Sequence, residues 1–436
     1  MFGSALLVAI LVNSILVQDL PALARDRLPP ELAALSDEEL GRIARMSPLP
    51  PLAPDPTNRV ADDENAARLG HRLFFDTRLS PKEISCATCH EPARTFTDGK
   101  KLAQGIGTTR RNTPTVLDAA RRRWTGWDGK FDSLWSQALA PIENPAEMGG
   151  DRTTLVRVVR DDVELRKLYE LVFGPFPAAL CASANDPLHS PTPRDAALQS
   201  LIDRTTADLL KAFGAYQRKL ISGRAPIDRF VEELRSKQPV TTTAKIDELT
   251  PAARRGLAIF VSQGGCYQCH RGANFTDEEF HALGLAGANG RVPDDPARLA
   301  AVDFVQTNPF NAAGRFSDAP NAPKAAMVRG LRRFPELFGQ FRTPSLRGVA
   351  RTKPYMHDGR MADLSAVATF YDTLEGASPT GHHGELVLMP LGLGAEGRSD
   401  LVAFLEALTP DESKLGVWEV DPIAPSVRRS ASTLGR

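Results

Sequence analysis

The chain has 436 residues, which at roughly 100 to 200 residues per domain suggests two or three domains with ample buried core. Its hydrophobic fraction of 42% and charged fraction of 24% exclude a largely disordered or fibrous chain. With 53 Lys+Arg against 53 Asp+Glu there is no basic field to hold nucleic acid, so no nucleic-acid partner is expected.

Residues 5–17 are apolar and Ala22-Leu23-Ala24 supplies small residues after them, so residues 1–24 are expected to be a signal peptide cleaved near Ala24 and the protein periplasmic. The stretch contains Asn13 and Ser14 and falls short of the roughly 20 apolar residues of a membrane span. No stable membrane insertion is expected, with an uncleaved anchor as the alternative, since the opening MFGS has no Lys or Arg. Residues 25–59 read as a proline-rich lead-in and 411–436 as a loose tail.

Two stretches about 180 residues apart repeat one scheme. Cys86-Ala87-Thr88-Cys89-His90 and Phe96-Thr97-Asp98 are matched by Cys266-Tyr267-Gln268-Cys269-His270 and Phe275-Thr276-Asp277. Downstream, Thr113-Pro114 precedes Trp127-Asp128-Gly129 as Thr343-Pro344 precedes His357-Asp358-Gly359. Thr250-Pro251 has the form of a helix start and Gly264-Gly265 of a stop. Leu209, Phe213, Tyr216 and Leu220, and Leu401, Phe404, Leu405 and Leu408, recur with helical spacing. The expectation is a mainly α protein of two domains related by internal duplication, residues 60–230 and 245–410, with insertions at 174–200 and 284–330. Cys181, in the first insertion, reads as a buried thiol.

Two cysteines three residues apart can reach the two vinyl groups of a haem while the adjacent histidine binds iron. Two such motifs in a chain with five Cys and eight His make chance improbable. Zinc needs four ligands in a closed site and each motif offers three. A thiol–disulfide site leaves the histidines unexplained. Cys86, Cys89, Cys266 and Cys269 are therefore expected to carry two covalent haem c groups, with His90 and His270 as iron ligands.

The sixth iron position decides between peroxide binding and electron storage. Fourteen residues beyond Trp127 lies Pro141, and fourteen beyond His357 lies Tyr371. Proline cannot ligate iron and tyrosine can, so the first haem is expected open and the second capped by Tyr371, unless Tyr371 is only a packed aromatic. Peroxide chemistry also needs an acid/base and an orienting group. Glu147 and Gln137 flank Pro141, with Glu143 as the competing carboxylate. Trp127 is a candidate electron relay or a core residue, and Asn112 a possible turn former. His71 reads as packing, and His281 and His382-His383 as solvated positions.

The stretches LGHRLFFDTRLS with CATCH, RNTPTVLDA with WDG, QALAPIENPAEM, CYQCH and FRTPSLRGVARTKPYMHDGR resemble the bacterial di-haem cytochrome c peroxidases and the related MauG enzymes, over about residues 60 to 410. The resemblance implies a helical c-type fold with haems on either side of a domain interface, and peroxide as a reactant at the first haem. It also implies roles for Glu147 and Gln137 at that haem, Trp127 between the haems, and an interdomain calcium ion on the Asn112 side chain and the Thr352 and Pro354 carbonyls. The implied electron donor is a small c-type cytochrome or an organic or protein substrate, and the implied state monomer or homodimer. Tyr371 matches the MauG group, where the peroxidases usually have methionine. Residues 101–112 hold no histidine to block the first iron. Gly264 stands where MauG has the tryptophan that draws electrons from its protein substrate, which argues against methylamine dehydrogenase maturation. The alternative function is a di-haem electron carrier without peroxide chemistry.

Overall fold

The structure, a computed structural model, describes residues 23, 25–181, 186, 188, 196–236, 248–287, 290, 293–378, 388–411 and 415–423. Except for Leu23, the expected signal peptide lies outside the described residues, as does the His382-His383 pair. Regular structure is almost all helical: α1 (Asp37–Ala44), α2 (Glu64–Phe75), the single turn α3 (Cys86–Cys89), α4 (Leu134–Gln137), α5 (Leu139–Glu143), α6 (Arg152–Asp161), α7 (Val163–Phe173), α8 (Ala196–Gln217), α9 (Pro226–Arg235), α10 (Pro251–Val261), α11 (Arg298–Thr307), α12 (Pro323–Gly330), α13 (Leu364–Thr373) and α14 (Gly394–Glu406). Among the described residues one small sheet pairs β1 (Phe280–His281) antiparallel with β2 (Phe341–Arg342). No helix of the described residues is long and apolar enough to cross a membrane.

Local chemistry sets the helix starts. The side chains of Asp63, Thr250 and Asp363 accept from the backbone N–H of Ala66, Ala253 and Ala366 at 2.8, 3.1 and 2.8 Å, which satisfies donors that no helical carbonyl can reach. Helix α10 ends at Val261, and Gly265 at φ +61° turns the chain into the second cysteine motif.

Two hydrophobic clusters organise the chain. One gathers Leu69, Phe74, Trp135, Leu209, Phe213 and Tyr216; the other gathers Ile43, Met46, Phe230, Leu257, Phe275 and Phe404. Each is built on a close helix pair. A Cβ on Gly70 of α2 would lie 2.0 Å from the Ala212 carbonyl oxygen of α8, and one on Gly256 of α10 would lie 2.0 Å from the Asp400 carbonyl oxygen of α14. Only glycine permits such a backbone approach.

These clusters divide the chain differently from the expected boundaries. The lead-in at 25–59 is no spacer: a Ser36–Glu39 capping box starts α1, and Leu40, Ile43 and Met46 sit in the second cluster. Helix α9, which a boundary at 230 would cut, also belongs there through Ile227, Phe230, Val231 and Leu234. Arg347 donates to both Asp228 carboxylate oxygens at 2.8 Å. The expected insertion at 284–330 holds α11, α12 and its own cluster of Val305, Ala312, Ala325 and Val328 with Trp124. The flanking Gly, Pro and Asn masked a helical period. This segment ties the halves together, since Arg111 meets both Asp295 oxygens at 2.9 Å and Asp128 at 2.7 Å. In the 174–200 segment, Phe176, Leu180 and Leu188 are buried in the first cluster, and Cys181 is half-buried rather than buried.

The tail, expected loose from 411, is docked over 415–420. Leu415 is buried, Tyr216 Oη donates to the Trp418 carbonyl at 2.7 Å, and His71 Nε2 lies 2.9 Å from the Val420 carbonyl. An indole with apolar neighbours gains more by covering α2 and α8 than by staying in water. Replacing Gly256 by alanine forces α10 away from α14 and is expected to cost about 1–3 kcal/mol, read as a lower midpoint in denaturant unfolding of the holoprotein.

Candidate haem sites

Each Cys-X-X-Cys-His motif closes one helical turn, with His90 N–H donating to the Cys86 carbonyl and His270 N–H to the Cys266 carbonyl, both at 2.9 Å. Cysteines three apart then share a face. A second contact fixes each ring: His90 Nδ1 lies 3.1 Å from the Phe96 carbonyl oxygen and His270 Nδ1 lies 3.0 Å from that of Phe275. Only a protonated Nδ1 can donate there, so Nε2 keeps its lone pair, as an iron ligand must. Burial lowers the pKa of both imidazoles, which keeps them neutral.

The accepting carbonyls are aimed by an unusual backbone. Phe96 and Phe275 stand in the left-handed region at φ +56° and +50°, and both rings are buried. Such a conformation costs a bulky residue roughly 1–3 kcal/mol and persists only where packing imposes it.

The thiols are not activated. Burial pushes Cys86 up to about 12, Cys89 to about 11 and Cys266 to about 12, the reverse of a redox thiolate. No motif forms a zinc knot either. Among the described residues the one group of three metal-capable side chains is Cys269, Asp277 and His281, without Cys266 or His270. His281 is not a solvated loop residue, since its Nε2 pairs with Asp277 at 2.9 Å within β1 and its neighbourhood.

A cavity of about 630 Å³ lies against the second motif, lined by Cys266, Cys269 and His270, by Tyr371 of α13, and by apolar side chains including Phe260, Leu364 and Leu401. The Tyr371 phenol is raised far above its ordinary value, by burial first and then by Cys266 and Cys269. Two arginines line the same space. Arg122 is pushed down to about 10, by burial and then by Arg342, and Arg342 is itself lowered by burial. Arg342 Nε and Glu278 Oε1 have no hydrogen-bond partner. An apolar slot with two thiols, an available imidazole nitrogen and two guanidinium groups, one of them paired with Glu278 at 3.7 Å, fits a haem, whose macrocycle is apolar and whose propionates are anionic.

Trp127, Asn112, Thr352, Pro354 and His357 line this cavity as well. Trp127 Nε1 donates to the Asn112 carbonyl at 2.9 Å, and Asn112 N–H donates to the His357 carbonyl at 2.7 Å. The Asn112 amide donates to the Lys100 carbonyl at 2.7 Å, and Asn112, Thr352 and Pro354 share the lining of the cavity. His357 stacks on Phe341 with centroids 3.7 Å apart, and burial brings it down to about 4.

At the first motif two carboxylates are near, Asp98, which acts on Cys89 and His90, and Glu147. Burial raises its carboxyl, with Lys130 and Asn144 opposing, and its charge is felt by both Cys86 and Cys89. Its place is set by the 103–112 loop: Ile106 N–H donates to the Glu147 carbonyl at 2.9 Å, and a Cβ on Gly105 would lie 2.3 Å from that oxygen. Glu143 is turned away, in a salt bridge to Arg152 at 2.7 Å. Gln137 ends α4, half-buried. The group that holds the Glu147 carboxylate is Asn144, whose Nδ2 donates to Oε1 at 3.0 Å. Sequence reasoning missed Asn144, Arg122 and Arg342. The i, i+3 spacing of Asn144 and Glu147 was the available signal for the first.

A family profile described as di-haem cytochrome c peroxidase matches residues 64–236. Over 87% of this chain and 89% of the relative, the sequence is 32% identical to cytochrome-c peroxidase IdrP1 of Pseudomonas sp. (strain SCT). The chain belongs to the di-haem cytochrome c peroxidase family. It is accordingly a di-haem oxidoreductase, and family membership implies two c-type haems. It is also 30% identical to the methylamine utilization protein MauG of Methylorubrum extorquens, over 88% of this chain and 89% of that one. Among solved structures it resembles a MauG-like protein associated with microbial copper homeostasis, with TM-score 0.60, 25% identity and coverage of 86% of this chain and 99% of that one. For this di-haem protein, converting Cys266 and Cys269 together to alanine is expected to halve the haem-to-protein ratio measured by pyridine haemochrome. An unchanged ratio would reject the second attachment site.

Proposed function

We propose that this protein is a periplasmic oxidoreductase that reduces hydrogen peroxide at a first haem held by Cys86, Cys89 and His90. Electrons come through a second haem, held by Cys266, Cys269 and His270 and capped by Tyr371, from a small c-type cytochrome or an organic or protein substrate. The observation that carries this reading is Glu147, a half-buried carboxyl whose pKa desolvation raises, within electrostatic reach of the first pair of thiols and held by Asn144. When bound, the haems supply iron for peroxide reduction and a store for oxidising equivalents.

Glu147 takes the proton from the near peroxide oxygen and returns it to the departing one, which avoids releasing hydroxide into a poorly solvated pocket. Asn144 keeps the carboxylate in one rotamer, and Gln137 is the polar partner that orients peroxide. Trp127, fixed through its indole N–H, relays electrons between the two sites. Burial makes the Tyr371 phenol resist ionising; bound to a cation such as haem iron it would release its proton to solvent, and as phenolate it would stabilise oxidised iron and lower the potential of the second haem. That favours oxidation of a substrate over turnover with ordinary cytochromes. The Asn112 side chain and the Thr352 and Pro354 carbonyls would hold one calcium ion across the halves, with water completing its shell.

Stopped-flow mixing of the holoprotein with peroxide tests the reading. Glu147→Gln is expected to slow the haem absorbance change by roughly 10²–10⁴-fold at unchanged haem content. The unprotonated Glu147 is the base, so the wild-type rate falls as pH drops through a value above the ordinary carboxylate range, and the variant lacks that limb. A wild type that never reacts with peroxide is an electron carrier instead. Tyr371→Met is expected to raise the second haem's potential in redox titration and to speed oxidation of reduced small cytochrome c. If the wild type already oxidises that cytochrome rapidly, tyrosine imposes no such block and the protein works as a cytochrome peroxidase. Chelation with EGTA in the same assay slows the reaction if calcium is held, and leaves it unchanged if not.

A further inference from the structure

A line of aromatic rings runs from the first motif to the docked tail. Phe74 lies 6.3 Å from the His90 ring, centroid to centroid, and Tyr216 lies 5.1 Å from Phe74. His71 stacks on Tyr216 at 4.8 Å and 21°, and Trp418 lies 5.5 Å from His71 and 6.3 Å from Tyr216. Tyr216 is wholly buried, while Trp418 is partly exposed. Tyr216 is also close enough to Cys86 for the thiol to raise its phenol further. None of these rings lines the second cavity.

Packing alone asks only for volume, which leucine or phenylalanine would fill at this position. Here the rings that give up electrons most readily, one Tyr and one Trp, stand in order between a covalent haem motif and solvent. They are coupled by the hydrogen bond from Tyr216 Oη to the Trp418 carbonyl, 2.7 Å long.

We propose that Trp418 is a protein-based electron source for the first haem, reached through Tyr216, and is the residue oxidised when peroxide is reduced with no external donor. The inference rests on the peroxide chemistry proposed above. Peroxide takes two electrons and two protons and becomes two waters. The electrons leave the Trp418 indole in two one-electron steps. One water adds to an indole carbon, its C–H is replaced by C–OH, and two protons are released. The net change is one peroxide and one tryptophan giving hydroxytryptophan and one water. Tyr216 passes each electron without storing the hole, because a backbone carbonyl is no base for its proton. Trp418 has a route to solvent for its own proton, and Lys219 Nζ, 5.8 Å above the indole, disfavours retention of positive charge on the ring.

The test mixes holoprotein with one equivalent of peroxide and no donor, follows haem absorbance, and reads radicals by freeze-quench EPR and products by peptide mass mapping. In the wild type, an organic radical should form and the Trp418 peptide should gain one oxygen atom. In Trp418→Phe the haem absorbance change should persist while the tryptophanyl signal disappears. In Tyr216→Phe, with both haems present and the indole still in place, oxygen uptake at Trp418 should fall severalfold. If Trp418 stays unmodified while the haem reacts, or is oxidised equally in Tyr216→Phe, this inference is overturned and the proposed function stands. If the haem absorbance does not respond to peroxide, both are overturned.

Discussion

The hydrogen bond from each motif histidine to a phenylalanine carbonyl is the constraint on which both sites depend. It selects the tautomer that leaves Nε2 free, and it exists because Phe96 and Phe275 hold a backbone shape with positive φ. Neither residue would adopt that shape alone. The buried rings of the two clusters impose it, so the hydrophobic core is what aims each motif imidazole. The glycine-mediated contacts of α2 with α8 and of α10 with α14 serve the same end, since they fix the helices that carry Phe74 and Phe260 against those rings.

The halves share this scaffold and differ in what they add to it. Both turn through a glycine after Asp128 and Asp358, at φ +65° and +61°, and both close that turn with an antiparallel bridge, Thr125 to Phe131 and Tyr355 to Met361. Beyond it, Pro141 stands in one half and Tyr371 in the other. The first half supplies a half-buried carboxyl, Glu147, and the second a half-buried phenol, Tyr371. Desolvation raises the pKa of both and so favours the neutral form of each.

Charge holds the halves in register. Arg111 bridges Asp128 and Asp295, and the Arg298 guanidinium donates to the Gly129 carbonyl at 2.6 Å while lying 4.1 Å from the Phe280 ring. The segment that reads in sequence as an insertion is therefore a clasp between the halves. It sets the wall of the second cavity from the first half's Trp127 and Asn112.

The sequence by itself determined whatever depends on short spacing. Cys-X-X-Cys-His needs one helical turn, Thr250-Pro251 needs only its own side chain and ring, and the apolar period of α8 and α14 is written within each helix. The mainly helical fold and the two motifs were legible for that reason, whereas Glu147 is singled out by its place beside Pro141 in the repeat and by the resemblance. Only the tertiary structure decided what depends on distant partners. Local composition marks residues 25–59 as a proline-rich lead-in and 411–436 as a loose tail because prolines and charges surround their few apolar groups, yet Met46 and Trp418 find surfaces that no window of sequence contains. Arg122 and Arg342 look like ordinary surface charges in sequence, yet burial lowers the pKa of both at the wall of the second-motif cavity. Asn144 holds the Glu147 carboxylate at an i, i+3 spacing that the sequence does carry, but the 103–112 loop that fixes the Glu147 backbone is a contact between separate loops, which has no period to betray it.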